Sequence, residues 1–103
     1  MYVDNSIVHL IRCEFTNNHY GYYGGAVEVR SSGTATFIGV KFAGNTAPHG
    51  NDILTYDSSS TATVEGCPAD YDEVKGDALD TYKYDGEGTI TGDLYSFECN
   101  LKR

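Results

Sequence analysis

The chain has 103 residues, a length that suits a single domain spanning residues 1–103. Its formal net charge of −8 argues against a nucleic-acid partner and against an anionic membrane surface, because both require a basic face. No apolar run reaches transmembrane length, and the first residues lack the basic start of a signal peptide, so we expect no direct membrane insertion.

The residue pattern predicts an all-β fold. Thr, Val, Ile and Tyr dominate the segments in which apolar and polar residues alternate, and this composition favours strands. No stretch of a dozen residues shows the period of an amphipathic helix.

From residue 9 onward the sequence repeats itself about every 27 residues. Residues 9–18 (HLIRCEFTNN) align with residues 36–45 (TFIGVKFAGN), and a shift of 55 aligns residues 34–45 with residues 89–100. A Thr-x-Thr pair occurs at positions 34/36, 61/63 and 89/91. We count four repeats, of which the third lacks the Phe-x-x-Asn motif that ends the others.

A repeat of this length, made of strands, predicts one coil of a parallel β-helix, because propeller blades are longer. About four coils are expected: regular coils at 5–67, a looser acidic segment at 68–88 and a last coil at 89–100. The apolar alternation slips by one residue at Leu10-Ile11 and at Phe37-Ile38, which predicts a corner there.

Stacking of coils gives the repeated motif a structural role. Asn tolerates turn conformations and can hydrogen-bond along a stack of identical residues. We therefore predict an Asn ladder with a Phe stack beside it, formed by Phe15, Asn18, Phe42, Asn45, Phe97 and Asn100. Tight turns into the next strand are expected at Gly24, Gly25 and Gly50.

These residues also resemble a known family. FTNN at 15–18 with GGAV at 24–27, and FAGN at 42–45 with GNDI at 50–53, resemble the FxxN and GGA(I/L/V) tetrapeptides of chlamydial polymorphic outer-membrane proteins. Similar repeats occur in right-handed parallel β-helix proteins of the pectin-lyase-like class. The resemblance implies a right-handed helix, an extracellular or cell-surface location, and an adhesive role toward a host or matrix protein or a polysaccharide.

The chain ends directly after a Phe-x-x-Asn motif, in the middle of a coil. Bare ends of a β-helix expose strand edges and normally require a cover. We therefore expect the chain to be a fragment whose further partners are flanking coils of a longer β-helix.

A strand-face cluster of Glu28, Arg30 and Asp57 is the one candidate for catalysis, since Arg30 aligns with Asp57 in the next coil. Pectin-lyase-like enzymes combine acids with a basic residue on such a face, so a carbohydrate-active, lyase-like and calcium-dependent β-helix is the alternative function. A cross-strand ion pair explains the same residues without catalysis.

Tyr20, Tyr22 and Tyr23 precede the turn glycines and are candidates for contact with a partner, because binding residues concentrate at turns and Tyr suits interfaces. Packing of their rings over the coil edge is the alternative.

The acidic segment carries nine of the 15 acids between Glu65 and Asp93. Clustered carboxylates can bind calcium, and the candidate ligands are Asp70, Asp72, Asp77 and Asp80. The spacing of an EF-hand is absent, and most such runs are solvated loops, so we expect no cofactor and keep calcium as the alternative.

Coil spacing limits the pairing of the three cysteines. Cys13 and Cys67 fall at one inward position two coils apart, about 9.6 Å, which is too far for a disulfide. A Cys67–Cys99 disulfide is compatible with the stack. Together these patterns favour a non-catalytic structural or adhesive module of an extracellular or surface protein.

Overall fold

A computed structural model of the chain describes residues 1–21 and 24–102. Its elements are β1 (Tyr2–Asp4), β2 (Ile7–Ile11), β3 (Glu14–Thr16), β4 (Val27–Arg30), β5 (Thr34–Ile38), β6 (Lys41–Ala43), β7 (Ile53–Thr55), β8 (Thr61–Glu65), β9 (Tyr71–Ala78), β10 (Thr81–Lys83), a 3₁₀ turn (Tyr84–Gly86), β11 (Thr89–Gly92) and β12 (Tyr95–Leu101). In these residues no helix is long and apolar enough to span a membrane.

Two parallel sheets run through the molecule. The first sheet has the order β1-β4-β7-β10 and the second sheet has the order β2-β5-β8-β11, so each strand pairs with its equivalent one coil away. The chain is therefore an all-β solenoid of about three turns, as the repeat predicts in fold class. Each sheet has four layers, but a complete fourth coil does not form.

The second sheet has the predicted register. Thr34 lies opposite Thr61, and Thr61 lies opposite Thr89, so the Thr-x-Thr pairs form two columns on its outer face. Ile7 and His9 begin the two columns in the first coil. The alternate residues, such as Ala35 and Ala62, point inward and are fully buried, which follows from the period-two alternation of a strand.

The corner after the second sheet falls slightly later than the pattern indicates. Arg12 and Gly39 have left-handed backbone angles, with φ of 51° and 60°. Ile11, the residue at which the alternation slips, points outward and is 51% exposed. The two coils remain in contact through the corner, because the Arg12 N–H donates to the Ile38 carbonyl at 2.8 Å.

The third sheet stops after two layers, β3 and β6. The predicted continuation of this sheet by the Phe-x-x-Asn motif of residues 97–100 is wrong, since β12 pairs antiparallel with β9. The third repeat has no such motif, so the chain leaves the coil after β8 to form β9, and it adds β10 and β11 to the first two sheets before β12 returns to β9. We call this non-local antiparallel pair of β9 and β12 the hairpin. β12 then lies against β6 in the vacant layer, where the Phe97 N–H donates to the Val40 carbonyl at 3.0 Å and the Phe42 N–H donates to Ser96 Oγ at 2.8 Å.

The acidic segment 68–88 is more regular than expected. It contains the eight residues of β9, the strand β10 and the 3₁₀ turn. The reason is that β9 pairs with β12 and β10 extends the first sheet. Residues Asp72 to Ala78 of β9 are all exposed, so its acids face solvent although the backbone is ordered into a strand.

The core lies between the three sheets. The aliphatic side chains of successive coils stack there, and the Phe15 and Phe42 rings stack at 5.4 Å between centroids. The core members include Val3, Val27, Val29, Ala35, Phe37, Val40, Phe42, Ile53, Ala62, Val64 and Phe97. Because Phe97 is 1% exposed, the hairpin is part of this core and closes the side of the solenoid that the third sheet leaves open.

Candidate functional site

Glu28 and Arg30 point to the outer face of the first sheet from neighbouring outward positions of β4. The Arg30 Nε–H donates to the Glu28 carboxylate, and Glu28 is only 3% exposed. Residues before β4 cover this carboxylate: a Cβ added at Gly24 would lie 3.2 Å from Glu28 Oε1 and 2.8 Å from Leu54 Cβ. Glycine at position 24 therefore allows the backbone at this position to lie against Glu28 and Leu54, where a side chain would collide.

Arg30 is held between two aromatic rings of adjacent coils. Its guanidinium carbon lies 5.0 Å from the centroid of the Tyr2 ring and 4.6 Å from that of Tyr56. Tyr56 in turn stacks on Tyr84, with 4.8 Å between ring centroids. The hydrogen bond to Glu28 raises the pKa of Arg30 above its ordinary value. Beside the first sheet, one column of stacked side chains thus contains the Tyr2 ring, the Arg30 guanidinium and the rings of Tyr56 and Tyr84.

Asp57 does not join Glu28 and Arg30, so the predicted alignment of Arg30 with Asp57 is wrong. β4 and β7 pair with a spacing of 26 residues, Val29 opposite Thr55, which places Arg30 level with Tyr56. The spacing becomes 27 only at Thr34 opposite Thr61, because the turn between the sheets takes up one additional residue.

Asp57 instead binds the corner between the first two sheets. Its carboxylate accepts hydrogen bonds from the Ser31 N–H, from Ser59 Oγ and from Ser60 Oγ, each at 2.8 Å. These bonds, with that from Ser31 first, lower the pKa of Asp57 below its ordinary value. Ser31 and Ser32 have left-handed backbone angles, so this carboxylate stabilises a corner of unusual conformation in the adjacent coil.

The predicted Asn ladder has two members. Asn45 Oδ1 accepts from the Asn18 N–H at 3.0 Å and from Asn18 Nδ2 at 3.1 Å, and Asn45 Nδ2 donates to the Phe15 carbonyl at 2.8 Å. Asn45 is buried, as the ladder requires. Asn100 is exposed and lies opposite Asp72 in the hairpin, so its predicted place in the ladder is wrong.

The predicted turn glycines lie where the first-sheet strands begin. The Gly25 N–H donates to the Gly50 carbonyl at 3.0 Å, and a Cβ at position 25 would collide with the backbone oxygen of Asn51. Gly50 has a φ of 56°. The stacked coils approach each other here too closely for a side chain at position 25.

Of the three tyrosines predicted to contact a partner, Tyr20 lies in the described residues and Tyr22 and Tyr23 lie outside them. The Tyr20 N–H donates to the Thr46 carbonyl at 3.0 Å, which continues the coil contact after the Asn ladder. Its ring is half-buried, and its hydroxyl accepts from the Met1 amino group at 2.8 Å. These contacts are those of the packing alternative, and contact of Tyr20 with a partner stays an untested prediction.

The four aspartates considered for calcium are spread along the hairpin and the turn after it. Asp70 precedes β9, Asp72 and Asp77 lie in β9, and Asp80 accepts from the Asn51 N–H at 2.9 Å. Within residues 1–21 and 24–102, no group of three or more His, Cys, Asp or Glu side chains is arranged to hold a metal ion. Calcium binding stays an untested alternative.

Cys67 and Cys99 form a disulfide, with 5.7 Å between their Cα atoms. This is the pair that the coil spacing allows, although Cys99 reaches it from the hairpin and not from a fourth coil. Cys13 is a half-buried free thiol. The disulfide ties β12 to the segment that leaves β8, so the hairpin is covalently fixed to the solenoid.

The junction between the hairpin and the solenoid forms a groove that the sequence pattern did not indicate. It has a volume of about 210 Å³ and is lined by Lys41, Phe42, Ala43, Val74, Gly76, Asp77, Ser96, Phe97 and Glu98. Lys41 and Glu98 form an ion pair at 2.7 Å on its rim. The groove could not be expected from the sequence, because residues 68–88 read as a solvated acidic loop and the layer that β12 occupies depends on long-range packing.

Comparisons with known protein families, with curated protein sequences and with solved structures find no match to this chain. The likeness to chlamydial polymorphic outer-membrane proteins therefore rests on the Phe-x-x-Asn and glycine motifs, and the parallel β-solenoid is the part of that expectation that the fold supports.

Proposed function

We propose that this chain is a non-catalytic β-solenoid module of an extracellular or cell-surface protein, and that it binds a partner through its outer surface. The main support for the proposal is the structural role of Arg30. This residue is held between Tyr2 and Tyr56 and paired with the buried Glu28, so its charge stabilises the stack of coils. Asp57, the third member of the catalytic candidate, binds the serines of a corner.

The disulfide supports the location. Structural disulfides form and persist in oxidising compartments such as the cell exterior. The Cys67–Cys99 bond fixes the hairpin to the core, which is the structural role that such bonds have in exported proteins. We infer in addition that the coils wind in the right-handed sense, as β-strand crossover connections almost always do, and an experimental structure would test this.

A paired assay tests the proposal. The folded chain is mixed with uronate-rich polysaccharides and calcium, and the ultraviolet absorbance of unsaturated sugar products is followed. In parallel, its binding to immobilised matrix proteins and matrix polysaccharides is titrated. We expect no rise in absorbance and saturable, reversible binding to one of these ligands.

The opposite result has a defined meaning. A calcium-dependent rise in absorbance that disappears in Arg30→Ala would contradict the proposal and assign the chain to the polysaccharide lyases. The control variant is Lys83→Ala, which removes an exposed basic residue from β10 of the same sheet. If Arg30→Ala and Lys83→Ala lose activity equally, the loss reflects the change in overall charge, and Arg30 is not a catalytic residue.

A further inference from the structure

β9 has a free edge. β12 covers one of its edges, and in the described part of the chain no strand pairs with the other. Among the strands of residues 1–21 and 24–102, β9 is the longest, with eight residues, and all but its first residue are exposed. Backbone N–H and C=O groups on the free edge of a strand form a template for a further strand.

The groove lies directly beside this strand. Val74 and Gly76 line it from β9, and because they are two residues apart they lie on one face of the strand. Val74 is 51% exposed, so the groove wall at this point is apolar and open to solvent. A strand added to β9 would place alternate side chains on the same face, where one of them can enter the groove beside Val74.

The negative charge near the free edge of β9 favours a basic partner. Asp72 and Asp77 are exposed on β9, Asp70 is exposed just before it, and the whole chain has a net charge of −8. Lys75, the basic residue of β9, forms an ion pair with Asp93, with 3.1 Å between Nζ and Oδ2. Acidic side chains on an edge disfavour pairing with another copy of the same acidic strand, whereas they attract a basic one.

The edge is held in place before any partner arrives. The disulfide joins Cys99 of β12 to Cys67, the Phe97 N–H bonds to the solenoid, and Lys41 pairs with Glu98. A preorganised edge loses little conformational entropy on binding.

We propose that the free edge of β9 and the adjoining groove bind an extended peptide segment in which a central apolar residue is flanked by lysines or arginines. The inference rests on the proposed function, because it names a site and a partner class for the binding module. The bound segment pairs its backbone with β9 and inserts its apolar side chain into the groove.

The probe is the labelled peptide Lys-Thr-Lys-Leu-Lys-Thr-Lys with blocked ends, titrated against the intact chain by fluorescence anisotropy. We expect saturable binding at peptide concentrations up to about 1 mM. A peptide with an N-methyl group on every residue cannot donate backbone hydrogen bonds, and we expect it to bind at least tenfold more weakly. A peptide with Glu in place of Lys should not bind.

Two matched variants locate the site. Val74→Lys adds a positive charge and fills the groove, and we expect it to weaken binding at least tenfold. Thr91→Lys adds the same charge at an exposed position of the second sheet, and we expect a change of less than twofold. Both positions are exposed, so neither variant should prevent folding, which circular dichroism checks.

Each contrary outcome overturns the inference. Equal weakening by the two variants would show attraction by overall charge only, and equal binding of the N-methylated peptide would exclude strand addition. Absence of binding by the probe would also overturn it. If the chain nevertheless binds a matrix protein or polysaccharide, the proposed function stands and its contact surface lies elsewhere. If the chain binds neither the peptide nor any matrix ligand, both the peptide site and the proposed function are contradicted.

Discussion

Arg30 and Glu28 form an ion pair within a single strand, and the carboxylate is 3% exposed while the Arg30 side chain is 33% exposed. Removing one member of a buried pair leaves the other charge without compensation. We expect Arg30→Ala to lower the free energy of unfolding by about 2 kcal/mol, since the exposed part of Arg30 reduces the full effect. Urea denaturation measures the change.

A second substitution distinguishes loss of the pair from loss of packing. Position 54, one coil away from Glu28 in register, holds a fully buried Leu. The double variant Glu28→Leu/Arg30→Ala should therefore recover part of the lost stability. A double variant less stable than Arg30→Ala would contradict this account of the pair.

Asn45→Ala should cost about 2–3 kcal/mol, because it removes the acceptor of two Asn18 bonds and the donor to Phe15 at a buried position. The matched control is Asn100→Ala, which changes an exposed Asn of the same sequence motif and should cost less than about 0.5 kcal/mol. Thermal and urea denaturation give both values. Equal destabilisation by the two variants would mean that Asn100 has a structural role that its exposure does not indicate.

The disulfide should contribute about 3–4 kcal/mol, the value that the chain-entropy relation assigns to cross-linking residues 32 positions apart. We expect the unfolding midpoint of the oxidised chain to exceed that of Cys67→Ser/Cys99→Ser by the corresponding amount. Cys13→Ser, which leaves the disulfide intact, is the control. If the double variant unfolds at the same urea concentration as the oxidised chain, the hairpin is held by its non-covalent contacts alone.

Gly25→Ala should destabilise the chain by about 3 kcal/mol, because the added methyl group collides with the Asn51 carbonyl of the next coil and that backbone is fixed by stacking. Gly21→Ala provides the control, since a Cβ there would have none of the described residues within 4 Å. Gly21→Ala should change stability by less than about 1 kcal/mol. A well-folded Gly25→Ala chain of unchanged melting temperature would show that the two coils can separate locally without cost.

The stability that Asp57 contributes should depend on pH. Its folded-state pKa is lowered by the bonds from Ser31, Ser59 and Ser60, so the contribution is fully present above the unfolded-state value of about 3.9 and is lost as pH falls through the folded-state pKa. We expect the melting temperature of the chain to exceed that of Asp57→Asn at pH 7, and the difference to shrink below about pH 4. A difference that stays constant from pH 7 to pH 3 would contradict the sign of this shift.

The local pattern of residues determined the strands and their stacking. Period-two alternation, the 27-residue repeat and the Thr-x-Thr pairs are sufficient for the second sheet, because identical side chains in successive coils can align in one register only. The motif also located the Asn18–Asn45 contact and the glycine turns, since each depends on residues at equal positions of adjacent coils.

The repeat does not show how many residues each corner contains or which layer of the solenoid is left vacant. Only the tertiary structure decided the positions of the residues that depend on these two features. One additional corner residue moved Asp57 away from Arg30 and placed Tyr56 there, a difference that a single repeat length cannot express. The third coil leaves its layer beside β6 open, and Phe97 fills it from the hairpin because burying this ring on the core is favourable whichever direction its strand runs. The groove and the free edge of β9 exist for the same reason, since both are products of long-range packing that no local pattern records.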